Sequence, residues 1–246
     1  MKTQLKHFFI VASLFCASMS ATFMAMPFAV SAESGNSGNS GGVVEKRIKT
    51  VVDTSTRPIL GPVRNEYSYN DDGTLKRVDI YDESSKRVMY MTYTHNSDGT
   101  RVKHEMVDEA YGNTTTAYDY SYNADKTLQK VQGTIFLGGV AIGSASHDYT
   151  YQNGRKTREV IRAYAGGVLG QEVQFVYDYD SNGKRTTSIA TPKIGVKITY
   201  TRTYNEDGTL QKVTHPSGQG DNAIITKTFT WEDGKSTVDE DIFFTW

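Results

Sequence analysis

Hydrophobic and polar residues alternate along much of the chain with a period of two. A clear run is Tyr118, Tyr120 and Tyr122, whose immediate neighbours are small or polar. Similar runs lie between residues 173 and 179 and between residues 194 and 204. Successive side chains of a strand point to opposite faces, so this pattern predicts β-strands with one drier face. After residue 32 we find no convincing helical period, and we predict an all-β fold.

A short unit recurs seven times along the chain, each time as an aromatic residue, a polar stretch, an Asx-Gly pair and then Thr or a basic residue. The turn positions are 26, 27, 28, 29, 25 and 26 residues apart, and Lys126 stands where the third glycine is expected. The aromatic positions are Tyr69, Tyr93, Tyr122, Tyr151, Tyr179, Tyr204 and Trp231. The turn glycines, which we predict to be structural, are Gly73, Gly99, Gly154, Gly183, Gly208 and Gly234.

Each unit predicts a β-hairpin, because glycine and, to a lesser degree, Asx accept the positive φ that tight hairpin turns need. Lys126 is expected in the same left-handed region, at a cost of about 1 kcal/mol. A second turn is predicted between successive units, for example at Gly138-Gly139 and Gly166-Gly167. Seven units then give an antiparallel up-and-down meander of about fourteen strands. Since long sheets twist and exposed edges are hazardous, we expect this sheet to be curved or closed into a barrel.

The N-terminal segment predicts export. Residues 1–32 have a basic start, a long apolar run and the small residues of a signal-peptidase site, so we expect cleavage after Ala32. Cys16, the one cysteine of the chain, would leave with this signal peptide, and no disulfide is expected. Residues 33–62 read as a Gly/Ser/Asn linker and a lead-in with an edge strand at Ile48 to Val52. Residues 63–246 form the predicted repeat domain, located in the periplasm, at the cell surface or in the medium.

The charge of the mature chain gives no sign of a nucleic-acid partner. Removing two of the 27 basic residues with the signal, while all 28 acidic residues remain, leaves a net charge of about −3. The two signs are mixed along the chain, whereas nucleic-acid binding proteins carry a basic patch.

Motifs for metals and catalysis are incomplete. Asp178 to Gly183 matches the first half of a calcium loop, but Ile189 stands where the chelating Glu is expected. His104 to Asp108 is one residue from a zinc-protease motif, yet it lies in a predicted strand and ends in Asp. We find no nucleophile elbow and no dinucleotide fingerprint. We predict a protein that is not an enzyme, with no catalytic residues, metal or cofactor; a hydrolase with paired carboxylates in its turns is a third alternative.

The tyrosines suggest a ligand. The chain has 16 of them, and an aromatic face can stack on a sugar ring while the hydroxyl forms hydrogen bonds. About two thirds are expected to form the core of the curved sheet. The candidate ligand-binding residues are Tyr118, Tyr120, Tyr122, Tyr149 and Tyr151. We therefore predict an exported binding or scaffold protein whose partner is a glycan or a cell-surface protein. The remaining histidines, His95, His147 and His215, are interpreted as surface residues.

An outer-membrane β-barrel is the main alternative. The chain ends Ile242-Phe243-Phe244-Thr245-Trp246, with aromatic residues at the last and third-last places, which resembles the C-terminal signal of such barrels. A lipid-facing strand must be apolar at every second residue. The predicted strand from Arg155 to Arg162 carries charges on both faces, so we do not expect a membrane partner.

The repeated unit also resembles a known family. The stretches from Tyr69 to Leu75 and from Tyr204 to Leu210 resemble the YD repeat of RHS-type proteins, and the likeness extends over roughly residues 65 to 240. This resemblance implies a secreted or surface-located β-repeat protein, and some relatives are described as carbohydrate-binding. The chain departs from the family in its longer period, and Arg follows the turn glycine only at Arg155.

Overall fold

The computed structural model describes residues 45–56, 63–110, 114–217 and 223–234. The predicted signal peptide, the Gly/Ser/Asn linker and the aromatic C-terminal residues lie outside these ranges. The described residues contain no helix. They form fourteen strands: β1 (Lys46–Ser55), β2 (Arg64–Tyr69), β3 (Leu75–Tyr81), β4 (Arg87–His95), β5 (Arg101–Asp108), β6 (Thr114–Tyr122), β7 (Leu128–Leu137), β8 (Val140–Gln152), β9 (Arg155–Ala165), β10 (Val168–Tyr179), β11 (Arg185–Pro192), β12 (Ile198–Tyr204), β13 (Leu210–Pro216) and β14 (Ile224–Asp233).

The strands form one closed barrel in which each strand is antiparallel to its neighbours in the chain. This confirms the predicted all-β meander of fourteen strands and decides between a curved and a closed sheet. Closure occurs between β1 and β14, which pair from Lys46 opposite Asp233 to Ser55 opposite Ile225. The described residues therefore include no helix that could cross a membrane.

The strand predicted from Ile48 to Val52 lies within β1, but its predicted place at a sheet edge is wrong, because β1 is paired on both sides. It lies between β14 and β2, and its hydrogen bonds replace the two free edges that an open meander would have. Ion pairs from Lys46 to Asp233 (2.6 Å) and from Arg47 to Glu232 (2.8 Å) reinforce the same seam.

The count of fourteen strands comes from six complete hairpins and one that is completed by the N-terminal strand. In the first repeat Tyr69 faces Leu75 across the turn, and in the seventh repeat Trp231 faces Ile48 of β1. β1 therefore occupies the place of the second strand of the last hairpin. The amide of Gly234 donates a hydrogen bond of 2.9 Å to the carbonyl oxygen of Glu45, which continues the pairing up to the end of the described chain.

The Asx turns are held by side-chain hydrogen bonds that repeat from unit to unit. In the first turn Asp72 accepts hydrogen bonds from the backbone amide (2.9 Å) and the hydroxyl (2.6 Å) of Thr74. Those same bonds lower the pKa of the Asp72 carboxyl. Asp125 with Thr127 and Asp207 with Thr209 repeat this arrangement. The φ of Lys126 is 67°, so a lysine holds the left-handed conformation that glycine supplies elsewhere.

In five of the seven units, the aromatic residue next to the turn ties its hairpin to the preceding one. The hydroxyl of Tyr69 donates a 2.8 Å hydrogen bond to the carbonyl oxygen of Ile48, the first inward residue of the previous unit. The same bond joins Tyr122 to Arg101, Tyr179 to Lys156, Tyr204 to Arg185 and, through the indole N–H, Trp231 to Leu210. One assignment of the second repeat is corrected: His95, and not Tyr93, faces the first inward residue Arg101, while Tyr93 lies one pair deeper opposite His104.

The outer face of the barrel carries charged side chains, both near the strand ends and halfway along the strands. Arg87 contacts Asp79 (3.3 Å) and Glu109 (2.8 Å) across three strands. On the other side Arg162 contacts Asp148 and Glu172, both at 2.7 Å. The inner face instead holds the core, which includes Ile48, Val51, Leu75, Val78, Ile80, Phe175, Val213 and Phe229.

Candidate ligand-binding wall

Three of the five predicted ligand-binding tyrosines come together on the inner face of neighbouring strands. Tyr118 and Tyr120 lie on β6, and Tyr149 lies on β8, with β7 between them. All three are half-buried, whereas Tyr67 and Tyr177 at corresponding inner positions are buried. Side-chain surface therefore remains accessible at this part of the inner wall.

A glycine of β7 makes room for the ring of Tyr118. Gly133 is paired with Tyr118, and a Cβ atom at Gly133 would lie 2.5 Å from Cε1 of the ring. Without that side chain the ring can lie across β7 toward β8, where its centroid is 6.3 Å from that of His147. The local sequence thus places an aromatic face flat along the wall.

A histidine missed by the ligand prediction lies at the centre of the cluster. The ring of His104 stacks on Tyr118 with centroids 4.2 Å apart and an interplanar angle of 12°. It also stacks on Tyr93 at 5.5 Å, and its Nδ1 is 2.7 Å from the hydroxyl of Tyr120. Burial, followed by the charges of Arg101 and His147, lowers the pKa of His104 well below its usual value. His104 is therefore neutral at pH 7, and its ring can share one proton with Tyr120.

A second polar group continues the wall from β8 to β10. His147 Nδ1 lies 2.9 Å from one oxygen of Glu159, and the hydroxyl of Tyr177 donates to the other oxygen at 2.6 Å. The ammonium of Lys156 is 3.6 Å away. Burial alone would raise the pKa of Glu159, but Lys156 together with the two hydrogen-bond donors holds it at about 2. Glu159 is thus a buried carboxylate at any physiological pH.

The two other predicted tyrosines have a different place. The hydroxyl of Tyr122 is used in the bond to Arg101 that repeats around the barrel, so its role is structural. Tyr151 faces Lys156 at the level of the turns. Both lie one pair closer to the Asx turns than Tyr120 and Tyr149, at the edge of the cluster.

The interpretation of the histidines as surface residues is wrong for two of them. His147 and His215 are 8% and 7% exposed, and both face the interior. The signal was present in the sequence, because His147 continues the alternation of Tyr149 and Tyr151.

We name the inner surface formed by Tyr93, His104, Tyr118, Tyr120, His147 and Tyr149 the aromatic wall.

The segment from His104 to Asp108 lies in strand β5, as predicted, and its ends are far apart. Four residues of a strand span about 13 Å, too far for both side chains to bind one metal ion. The carboxylate of Asp108 accepts the amide of Ala110 at 3.0 Å. In the calcium-like turn, Asp180 accepts the amides of Asn182 (2.9 Å) and Lys184 (2.8 Å), so its oxygen supports the turn.

Comparison with known proteins gives a few structures of similar shape. No family model matches the chain, and no curated protein does. A porin-like protein from Bacteroides uniformis is 14% identical with a TM-score of 0.45, over 75% of this chain and 98% of that one. A porin-like protein from Bacteroides vulgatus is 11% identical with a TM-score of 0.49, over 74% and 97%.

The TcdB2-TccC3-TEV complex is also similar, at 10% identity with a TM-score of 0.38, over 74% of this chain and 11% of that one. Likenesses this distant say nothing about ligand or location. The fold and the aromatic wall define the chain as a closed fourteen-stranded meander barrel with a half-buried inner surface.

Proposed function

We propose that this chain is an exported, non-enzymatic binding barrel whose aromatic wall takes a small glycan. The observation that carries the proposal is the stack of Tyr93, His104 and Tyr118, with Tyr120 and Tyr149 beside it, on an inner surface that is not fully buried. Aromatic faces bind the apolar faces of sugar rings, and the phenol hydroxyls supply hydrogen bonds for sugar hydroxyls.

The direction of these rings favours a glycan over a cell-surface protein. They point into the barrel, where the surface of a folded protein cannot lie against them, so a ligand as small as a sugar is the better fit to this position. The YD-like form of the repeats and the predicted signal peptide support export and agree with a carbohydrate ligand.

The charged outer face argues against the alternative of an outer-membrane barrel. Arg162 with Asp148 and Glu172 lies well inside the strands on the outer face, at positions that would face lipid, whereas Arg87 with Glu109 lies at the strand ends. Charged side chains at the middle of a lipid face cost about 2–4 kcal/mol each for Arg and Lys. We expect the native protein to remain in solution after cell fractionation without detergent; recovery only with detergent from the outer membrane would restore the alternative.

The ligand proposal is tested with a glycan array and titration calorimetry on the glycans that bind. Tyr120→Phe keeps the ring but removes the hydroxyl, and we expect about fivefold weaker binding, as for one lost hydrogen bond. Tyr164→Phe is the matched control, because Tyr164 lies on the same kind of strand but outside the barrel. Thermal melts of both variants show whether they fold. Equal affinities of the two variants would contradict the proposed site, and a glycan array without any binder would contradict the ligand class.

A further inference from the structure

The exposed large hydrophobic residues of the described chain gather at one end of the barrel. Six of the seven lie at the end opposite the Asx turns, and the seventh, Val176, lies on the outer face of β10. The six are Leu137, Val140, Val168, Ile194, Val196 and Ile224. The outer ion pair of Arg87 with Glu109 also lies at this end, where β4 begins and β5 ends.

Five of these residues belong to three neighbouring strand connections. The β7–β8 turn is Gly138-Gly139 between Leu137 and Val140, and the β9–β10 turn is Gly166-Gly167 before Val168. The β11–β12 connection carries Ile194 and Val196. Because β7 to β12 are consecutive around the barrel, the three tips lie side by side. We name Leu137, Val140, Val168, Ile194 and Val196 the apolar rim.

Two of the three hairpins that carry the rim are longer than the β3–β4 hairpin on the opposite side, while β11 and β12 have 8 and 7 residues. Strands β7, β8, β9 and β10 have 10, 13, 11 and 12 residues, whereas β3 and β4 have 7 and 9. At about 3.3 Å per residue, three additional residues extend a hairpin by about 10 Å. The β3–β4 tip is polar, with Asp82, Glu83 and Lys86. The β7–β8 and β9–β10 tips, with Leu137, Val140 and Val168, thus project at this end, and the β11–β12 connection lies beside them.

The charge around the rim is positive. Lys193 and Lys197 are exposed on either side of Ile194 and Val196. Residues 137–142, 164–170 and 191–198 contain no Asp or Glu. The nearest acidic side chain below the β9–β10 tip, Glu172, is paired with Arg162.

We propose that the apolar rim contacts the surface of a bilayer that contains anionic lipids. Exposed aliphatic side chains on separate projecting tips can enter the headgroup region singly, and adjacent lysines bind lipid phosphates. A specific protein partner would need a continuous patch of about 800 Å² on each side, which narrow tips separated by glycines do not offer. Only the rim touches lipid, so the contact is compatible with a charged outer wall. The proposed lipid contact differs from the sequence-based expectation of no membrane partner. It does not depend on the aromatic wall.

The test is co-sedimentation of the protein, as recovered from cells, with two kinds of vesicle. One is phosphatidylcholine alone, and the other contains phosphatidylglycerol in addition. Val140→Ser/Val168→Ser/Ile194→Ser removes the apolar rim, and Lys193→Gln/Lys197→Gln removes its charges. Val176→Ser is the matched control, because Val176 is an exposed valine (39%) away from the rim.

We expect binding to the anionic vesicles only, reduced about tenfold or more by the rim variant and by the lysine variant, and unchanged by Val176→Ser. A thermal melt of the rim variant that matches that of the wild type shows that it is folded. Absence of wild-type binding, or a rim variant that binds as well as Val176→Ser, would overturn the proposal. Self-association in sedimentation velocity that the rim substitutions abolish would also overturn it, in favour of a second copy.

Discussion

Two sides of the same barrel use equivalent positions for different chemistry. At the first inward position after the Asx turns, one side has Ile48, Leu75 and Leu210, and the other has Arg101, Lys156 and Arg185. At the next inward position the first side has Val51, Val78 and Val213, and the second has His104, Glu159 and Ser188. On the second side β7 alone remains aliphatic at these two positions, with Leu128 and Val131.

Backbone pairing, turns and the aromatic bonds between hairpins are alike on both sides, so they hold the fold. The inner side chains are then free to differ. An aliphatic side packs as a core, whereas the polar side retains charges and half-buried rings that a core alone does not need. This contrast is what locates the candidate function on the β4 to β10 side.

The largest expected effect comes from making the polar side resemble the aliphatic side. Glu159→Val leaves Lys156 buried without its carboxylate, and we expect a loss of about 3–5 kcal/mol in the free energy of unfolding. The double variant Lys156→Leu/Glu159→Val copies Leu75 and Val78, and it should regain at least half of that loss. Urea unfolding of both variants measures this difference. Glu172→Val, at an outer ion pair with more than a third of its side chain exposed, is the control and should cost less than about 1 kcal/mol.

Acid pH should weaken both sides through a buried neutral histidine on each. Burial, and then the Lys227 ammonium, lower the pKa of His215 to about 4. Below pH 6.5 the unfolded chain binds a proton at this residue while the folded chain does not, so stability falls as the pH falls toward 4. Because of His215 alone, the free energy of unfolding should fall by about 2 kcal/mol between pH 7 and pH 5, and His104 should increase this loss.

Urea unfolding at the two pH values measures this loss. In the variant His215→Phe, the slope of the free energy of unfolding against pH should fall by the equivalent of one proton taken up on unfolding. An unchanged slope would show that His215 does not titrate in this range. Glu159 contributes only at lower pH, because its depressed pKa keeps its stabilisation until the pH falls from 4.5 toward 2.

A smaller effect is expected at the glycine that shapes the aromatic wall. Gly133→Ala puts a methyl group 2.5 Å from the Tyr118 ring, so the ring must move, at a cost of about 1–3 kcal/mol. Glycan binding should weaken together with stability. Gly170→Ala is the control, since the nearest atom to its added Cβ is 3.7 Å away. Thermal melts and glycan titration of both variants test this prediction. If Gly133→Ala and Gly170→Ala were equally stable, the ring of Tyr118 could move away from the added methyl group without cost.

The smallest effect is expected at the exposed turn between β6 and β7. Lys126→Gly relieves the left-handed strain of about 1 kcal/mol, less the backbone entropy that glycine loses on folding. The Lys126 ammonium is 3.2 Å from Asp98, but its side chain is 76% exposed, so little is lost with it. We expect the free energy of unfolding, measured in a thermal melt, to increase by less than about 1 kcal/mol. Absence of any gain would show that the lysine is not strained there.

The sequence alone determined the strands and their order. Alternation fixes which residues share a face, and Asx-Gly pairs fix where the chain turns, since both are properties of a few adjacent residues. For this reason the seven hairpin units, the left-handed Lys126 and the inward tyrosines of β6 and β8 could be predicted before the structure was known.

Only the tertiary structure decided how the barrel closes and which residues meet inside it. The pairing of β1 with β14 joins segments about 180 residues apart, and local sequence carries no sign of such a contact. His147 and His215 lie in strands whose inner face is defined by the closed sheet, and their burial follows from closure. The meeting of His104 with three tyrosines, and the gathering of exposed aliphatic tips at one rim, likewise depend on the register and length of neighbouring strands.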